Sequence, residues 1–173
     1  ISHYFKNNKF DIIINCAAFT QVDKAEQEVE LANQINYLAL KKLASLAINQ
    51  KARLIHISTD YVFDGESNKP YMETDTTNPI NAYGKTKLAG EQALQEVMPM
   101  NAVIIRTSWL YSEYGNNFVK NVLRLGKERN ELNIVSDQIG SPTYATDLAD
   151  AILEIIEHKK FRDEGQTTQI YHY

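Results

Sequence analysis

Three short apolar runs punctuate the chain: Asp11-Ile12-Ile13-Ile14-Asn15, Ala52-Arg53-Leu54-Ile55-His56-Ile57-Ser58 and Ala102-Val103-Ile104-Ile105-Arg106-Thr107. Runs this short, rich in β-branched residues, predict strands buried within a parallel sheet. Between them the period changes. Leu31, Ile35, Leu38, Leu43 and Leu46 recur at helical spacing through about Asn49, after a polar stretch, Val22–Glu26, at or near a helix start. A second helix carries Tyr83 and Lys87 to about Val97, where Pro99 ends it. A third is predicted from about Asn117 to Arg129, with Phe118, Val122 and Leu125 on one side. Leu132–Val135 reads as a short strand, and helical spacing returns at Leu148, Ile152, Ile155 and Ile156. Gln169–Tyr173 reads as a last strand, and residues 1–9 as the tail of a helix. Strands alternating with helices predict an α/β fold with a parallel sheet.

The segments between these elements hold the candidate chemistry. Asn15-Cys16-Ala17-Ala18-Phe19-Thr20 is a loop of mostly small residues, which lets a ligand approach the backbone or simply packs tightly on the next helix. Cys16 is expected to be a small buried hydrophobe, since nothing basic flanks it to activate a thiolate. The second apolar run ends at Thr59, followed by Val62–Pro70 with a turn at Asp64-Gly65. Residues 71–79 are polar and close with Pro79, so this long connection is expected to wrap part of an active site.

Tyr83 and Lys87 stand four residues apart, so on a helix both project from one face about one turn apart. An ammonium beside a phenol favours phenolate and would lower the tyrosine from about 10 towards neutrality. A tyrosine tuned in this way can exchange a proton with a carbonyl or alcohol oxygen. The Thr59 hydroxyl sits at the carboxyl end of a predicted strand, where ligands of open α/β sheets bind, and could hold that oxygen. A Tyr-Lys pair at this spacing also occurs on ordinary helix surfaces; the strand-end hydroxyl just upstream favours chemistry.

Thr59, Tyr83 and Lys87 resemble the Ser/Thr-Tyr-Lys triad of the extended short-chain dehydrogenases/reductases. Ser-Thr-Asp-Tyr-Val-Phe-Asp-Gly (58–65), Tyr-Gly-Lys-Thr-Lys-Leu-Ala-Gly-Glu (83–91) and Arg-Thr-Ser-Trp-Leu-Tyr (106–111) are similar to the dTDP-4-dehydrorhamnose reductase branch of that family, over about Asp11 to Thr146. The resemblance implies a Rossmann-like doubly wound parallel sheet, incomplete, and one domain over 1–173 with substrate-binding elements at about 106–173. It implies NADPH or NADH as cofactor, with Ala18, Phe19, Thr20, Asn36, Tyr83 and Lys87 on the cofactor side. Asn36 would help to order a proton-relay water. Thr59, Asp60, Tyr61, Asp23 and Trp109 would contact a dTDP-sugar, and the loop Asp137–Thr143 would close over its nucleotide half. Tyr83 would protonate the developing alkoxide, Lys87 would lower its pKa and bind the nicotinamide ribose, and Thr59 would bind the keto oxygen. A homodimer is compatible with the family.

Composition narrows the setting. Hydrophobic residues at 43% and charged residues at 23% fit a globular protein, and a net charge of −4 argues against general nucleic-acid binding. No apolar run reaches the roughly 18 residues of a membrane span, and no secretory signal is visible. One cysteine excludes an internal disulfide and suits a reducing cytoplasm. The four histidines are scattered without metal spacing, so no metal is expected. Of the 7 glycines none precedes Gly65, so the glycine-rich diphosphate turn of a Rossmann half is not in this sequence. That absence, and a first residue other than Met, suggest a fragment of a larger reductase. Two other readings stay open: a related nucleotide-sugar epimerase or dehydratase, for which Asp60 could be an extra acid/base group, and a non-catalytic relative of the same fold.

Overall fold

The computed structural model describes residues 1–134, 137–163 and 165–173. The chain divides into two compact units, Ile1–Arg106 with Asp163–His172, and Thr107–Arg162 with Tyr173.

In the first unit a four-stranded sheet has the order β1-β2-β3-β6, with β1 Ile12–Asn15, β2 Arg53–Thr59, β3 Ala102–Thr107 and β6 Gln169–His172. β1 and β2 pair in parallel, as do β3 and β6, so the three predicted strands and the terminal strand all form. The α-helices described in this unit are α1 Ser2–Asn7, α2 Val22–Ala25, α3 Val29–Asn33, α4 Ala39–Gln50 and α5 Ala82–Val97; beyond β3, α6 Phe118–Glu128 belongs to the second unit. β3 is buried along its whole length, as expected of a strand covered on both faces. Its neighbour β2 buries Leu54, Ile55, His56, Ser58 and Thr59. Leu40, Ala44 and Ala47 of α4 meet Leu54, Ile104 and Leu94 in one apolar cluster. Each fully buried leucine or isoleucine there contributes about 1.5–3 kcal/mol. Lys51 closes α4 in the left-handed region (φ 58°), with the Lys51 N–H on Ile48 O and the Ala52 N–H on Ala47 O, which turns the chain into β2.

The helical stripe departs from expectation. Leu31 and Leu38 are exposed, and the buried positions are Ala32, Asn36, Leu40 and Ala44, spaced by four, followed by Ala47. Four residues of α-helix turn through about 400°, so a strict spacing of four would drift around the helix. A π-helical turn, Gln34–Leu38, lies between α3 and α4 and takes up the drift, keeping the buried line straight. Of the expected stripe, Ile35 and Leu43 do pack against the core and Leu46 is half-buried, while Leu31 and Leu38, placed by a uniform 3.6 residues per turn, face outward. Cys16 is a second correction: it is exposed, because the chain leaves the sheet after Asn15, and partial burial of its sulfur pushes the thiol up.

In the second unit β4 Leu110–Tyr111 pairs in parallel with β5 Thr143–Tyr144, and α7 Ala145–Glu157 and α8 Lys159–Arg162 follow. The strand expected at Leu132–Val135 does not form over 132–134; Val135 lies outside the described residues. The pairing partner of β4 is instead Thr143–Tyr144, flanked by a stacked Tyr111–Tyr144 pair at 5.3 Å. Among the described residues no helix is long and apolar enough to cross a membrane.

Candidate active site

The site forms where β2 ends and α5 begins. Thr59 closes β2 and its hydroxyl accepts the Tyr61 N–H at 3.2 Å, capping a single 3-10 turn, Asp60–Val62. The same hydroxyl donates to Asp60 Oδ1 at 3.0 Å. α5 starts at Asn81, whose side chain accepts the Gly84 N–H at 2.8 Å, while Glu26 Oε1 accepts the Ala82 N–H at 2.6 Å. These two caps fix the first turn of α5, the turn that carries Tyr83.

Two glycines then let α5 sit against its neighbours. A Cβ on Gly84 would lie 2.1 Å from Tyr61 O, and one on Gly90 would lie 2.2 Å from Asn36 O. Backbone therefore touches backbone on both sides of the Tyr83–Lys87 segment. The result is a buried pair: Tyr83 is 8% exposed and Lys87 only 1%.

The electrostatics correct one expectation. Burial, with Asp60 and Tyr61 adding to it, pushes the Tyr83 phenol up to about 12, against a hydrogen bond from Thr59 that pulls the other way. The Lys87 amine is turned elsewhere: Nζ donates to Ile57 O at 2.7 Å and lies 3.2 Å from His56 Nε2. In this chain the phenol is held neutral rather than drawn towards phenolate. Burial in turn lowers Lys87 to about 8, with Glu91 opposing. Asp60 is pushed up by burial, and Tyr61 by burial with Asp60 and Asp23.

The structure brings most predicted residues of the first unit together. Tyr61 packs edge-on against Tyr83, ring centres 5.5 Å apart, and Phe19 shares a cluster with Tyr83, Ala25, Ala32 and Ala82. Ala18 is half-buried, while Thr20 and Asp23 are exposed. Asn36 is buried and acts as a clamp: its Oδ1 accepts the Phe19 N–H at 2.8 Å, and Nδ2 donates to Phe19 O at 3.2 Å and Thr86 Oγ1 at 3.1 Å. Both its N–H bonds are thereby committed to protein, so it ties the loop after β1 to α5. Trp109 belongs to the second unit, where its ring lies against Gly140 and its backbone takes the left-handed region at φ 46°. A bulky residue held there costs about 1–3 kcal/mol.

The connection after the site is strapped by Asp64. Its carboxylate accepts from Tyr71 OH at 2.6 Å, the Glu66 N–H at 3.1 Å and Asn78 Nδ2 at 3.1 Å. Tyr71 stacks on Phe63 at 4.3 Å. Gly65, at φ 80°, makes the expected turn.

Two groups escaped the sequence reading. His56 stands behind Lys87, and Glu91 stands one turn beyond it. Glu91 receives the Ser58 hydroxyl and pairs with Arg106 at 2.7 Å, both ends buried. Glu91 sits at the same four-residue spacing from Lys87 as Lys87 from Tyr83, which was the available signal.

Lys87 meets two acceptors among the described residues, which leaves one of the three N–H bonds of a buried ammonium for a ligand hydroxyl.

Residues 1–173 match the family described as RmlD substrate binding domain. A dTDP-4-dehydrorhamnose reductase of Aggregatibacter actinomycetemcomitans is 47% identical over 165 residues, covering 95% of this chain and 55% of that protein. The Escherichia coli dTDP-4-dehydrorhamnose reductase is 53% identical over 146 residues, 84% of this chain and 48% of that one. A crystal structure of the Bacillus anthracis dTDP-4-dehydrorhamnose reductase in complex with NADP superposes with a TM-score of 0.89 at 45% identity, over 99% of this chain and 58% of that one. The chain thus spans about half the length of the relatives it matches. A UDP-glucose- and NAD-bound structure at 18% identity, TM-score 0.82, shares the fold.

Proposed function

Because the chain belongs to the RmlD substrate binding domain family, we propose that it carries the catalytic residues of an NADPH-dependent reductase acting on the 4-keto group of dTDP-4-dehydro-L-rhamnose to give dTDP-L-rhamnose. The observation that carries this reading is the Thr59 hydroxyl at the end of β2 beside the start of α5, where Tyr83 and Lys87 are buried one turn apart. A bound nicotinamide supplies hydride to the sugar C4. The chain's own residues handle the oxygen. Thr59 holds the keto oxygen, and Tyr83 gives its proton to the alkoxide that develops there.

The raised phenol suits this direction of reaction. A tyrosine at about 12 is protonated at neutral pH and remains a far stronger acid than the alcohol it creates, so the transfer runs downhill. Burial that would hinder a base therefore assists a donor. Lys87 directs its remaining N–H to the ribose of the cofactor, and Ala18, Phe19 and Thr20 line the same side, held by the Asn36 clamp. Asp60, Tyr61 and Asp23 of the first unit contact the dTDP-sugar. The single cysteine and the family's chemistry support a cytoplasmic setting.

The test is Tyr83→Phe in the full-length enzyme. Turnover of the dTDP-sugar should fall about 10²–10⁴-fold with sugar-nucleotide binding nearly intact, since the phenol acts on charge that appears only in the transition state. Near wild-type turnover in the Phe variant would end the assignment.

A further inference from the structure

We propose that His56 and Asn15 are positioning residues for Lys87, forming a hydrogen-bond relay that reverses polarity with the charge on the lysine and links it to the loop after β1. The relay is continuous. Lys87 Nζ lies 3.2 Å from His56 Nε2, His56 Nδ1 lies 3.0 Å from the Asn15 amide, and Asn15 Oδ1 accepts the Ala17 N–H at 3.3 Å. His56 is 1% exposed, and these are the side-chain partners of its two ring nitrogens.

A neutral imidazole has one donor and one acceptor nitrogen, which permits two arrangements. When Lys87 is an ammonium, Nε2 must accept from it, so the ring proton sits on Nδ1. Nδ1–H then faces the Asn15 main chain, which hydrogen-bonds His56, and the side-chain amide, a donor to Nδ1 until then, turns over and releases the Ala17 N–H. When Lys87 is a free amine, its lone pair accepts from Nε2–H, Nδ1 accepts from Asn15 Nδ2, and Asn15 Oδ1 keeps Ala17. Heavy atoms occupy the same places in both arrangements, because the two ends of an amide are nearly isosteric. Ile57 O accepts from Lys87 in either state, so the amine stays in position while the proton order behind it changes.

Charging the ring instead is opposed from two sides. Burial and the neighbouring Lys87 both hold His56 well below its ordinary range. The other groups that bear on the pair are Glu91 of α5, which favours the ammonium, and Arg106 of β3, which is already paired with Glu91. Asn15 bears on the pair from β1 through its side-chain amide and through a backbone hydrogen bond to His56 that favours the charged ring, and Tyr83 lies one turn back on α5. Lys87 at about 8 places the reversal within an accessible pH range.

The role assigned here rests on Lys87 serving the cofactor, and its consequence is that the order of the loop beginning at Ala17 follows the charge of Lys87. The experiment is nitrogen NMR of the full-length protein labelled at the histidine ring, without cofactor. From about pH 6 to about pH 10, spanning the ordinary histidine and lysine ranges, the His56 ring should pass from Nδ1–H to Nε2–H with a midpoint near that of Lys87 and no imidazolium. Lys87→Met should remove that transition. A single tautomer across the range, or a ring that charges near 6.5, would overturn the relay. Because this readout needs no turnover, it stands even if Tyr83→Phe shows the reductase reading to be wrong. For coupling to the loop, NADPH titrated into full-length Asn15→Leu should bind about tenfold more weakly, the scale of one charge-assisted hydrogen bond. Unchanged NADPH affinity in a folded Asn15→Leu protein would overturn the link to the loop.

Discussion

Helices α5 and α6 invert what their sequences advertise. α6 has the clean apolar side, yet among the described residues of this chain, about half the length of its relatives, none of its side chains is buried: Phe118 is 59% exposed and Leu123 62%. α5 has a mixed surface with lysine, glutamate, threonine and two glycines, and it buries Tyr83, Gly84, Thr86, Lys87, Gly90 and Glu91. Periodicity reports that a stretch can be a helix with two faces, but not that either face is covered. Besides Leu94 in the apolar cluster, what buries α5 is backbone proximity at its glycines and hydrogen-bonded polar groups at its charges. A helix that must hold reactive side chains out of water is stabilised by hydrogen bonds and close approach more than by an apolar stripe.

The ion pairs give the strongest way to break this comparison. Glu91→Gln would leave Arg106 charged and buried, and the protein should lose about 3–5 kcal/mol in chemical denaturation. A loss under about 1 kcal/mol, the range of an exposed pair, would mean that the buried network is not what holds α5.

The glycines sharpen the contrast by changing sign. Gly90→Ala in α5 should cost about 1–3 kcal/mol, because the new methyl meets the Asn36 carbonyl and backbone has to move. Gly126→Ala in α6 meets nothing within 4 Å and should stabilise by about 0.4–1 kcal/mol through the unfolded chain. Paired thermal melts of the two variants read both signs; equal shifts in the same direction would erase the distinction.

The smallest effect is expected at the pair Arg124–Glu128, 2.9 Å apart and more than half exposed at each end. Glu128→Ala should change stability by about 0.5 kcal/mol or less, and the change should fade in high salt. A loss comparable with that of Glu91→Gln would show that α6 is covered after all.

The parts of the site legible in the sequence were those set by chain order. Thr59 at a strand end and the four-residue step from Tyr83 to Lys87 needed only local rules, and strands β1, β2 and β3 stood out as apolar runs. Three things depended on contacts that no local rule encodes. The direction of the Tyr83 shift followed from where the Lys87 amine turns, which His56 and the Ile57 carbonyl decide. The Asn36 clamp required knowing that a mid-helix asparagine faces a loop 17 residues earlier in the chain. The strand expected at Leu132–Val135 does not form over 132–134, and β4 pairs with Thr143–Tyr144 instead.

The π-helical turn at Gln34–Leu38 also has a genetic reading. A turn of this kind holds one residue more than the α-helical turn it replaces, so it is equivalent to a one-codon insertion within a longer helix. Deleting that codon would give a smoother helix from Val29 to Gln50. It would also rotate everything upstream by about 100°, swinging Ala32 off the line shared with Leu40 and Ala44. Phe19, the loop after β1 and the cap that Glu26 provides for α5 would lose their register together. Single-residue length changes in this window are therefore expected to be purged in a gene whose product needs the site, while substitutions at its outward positions pass freely.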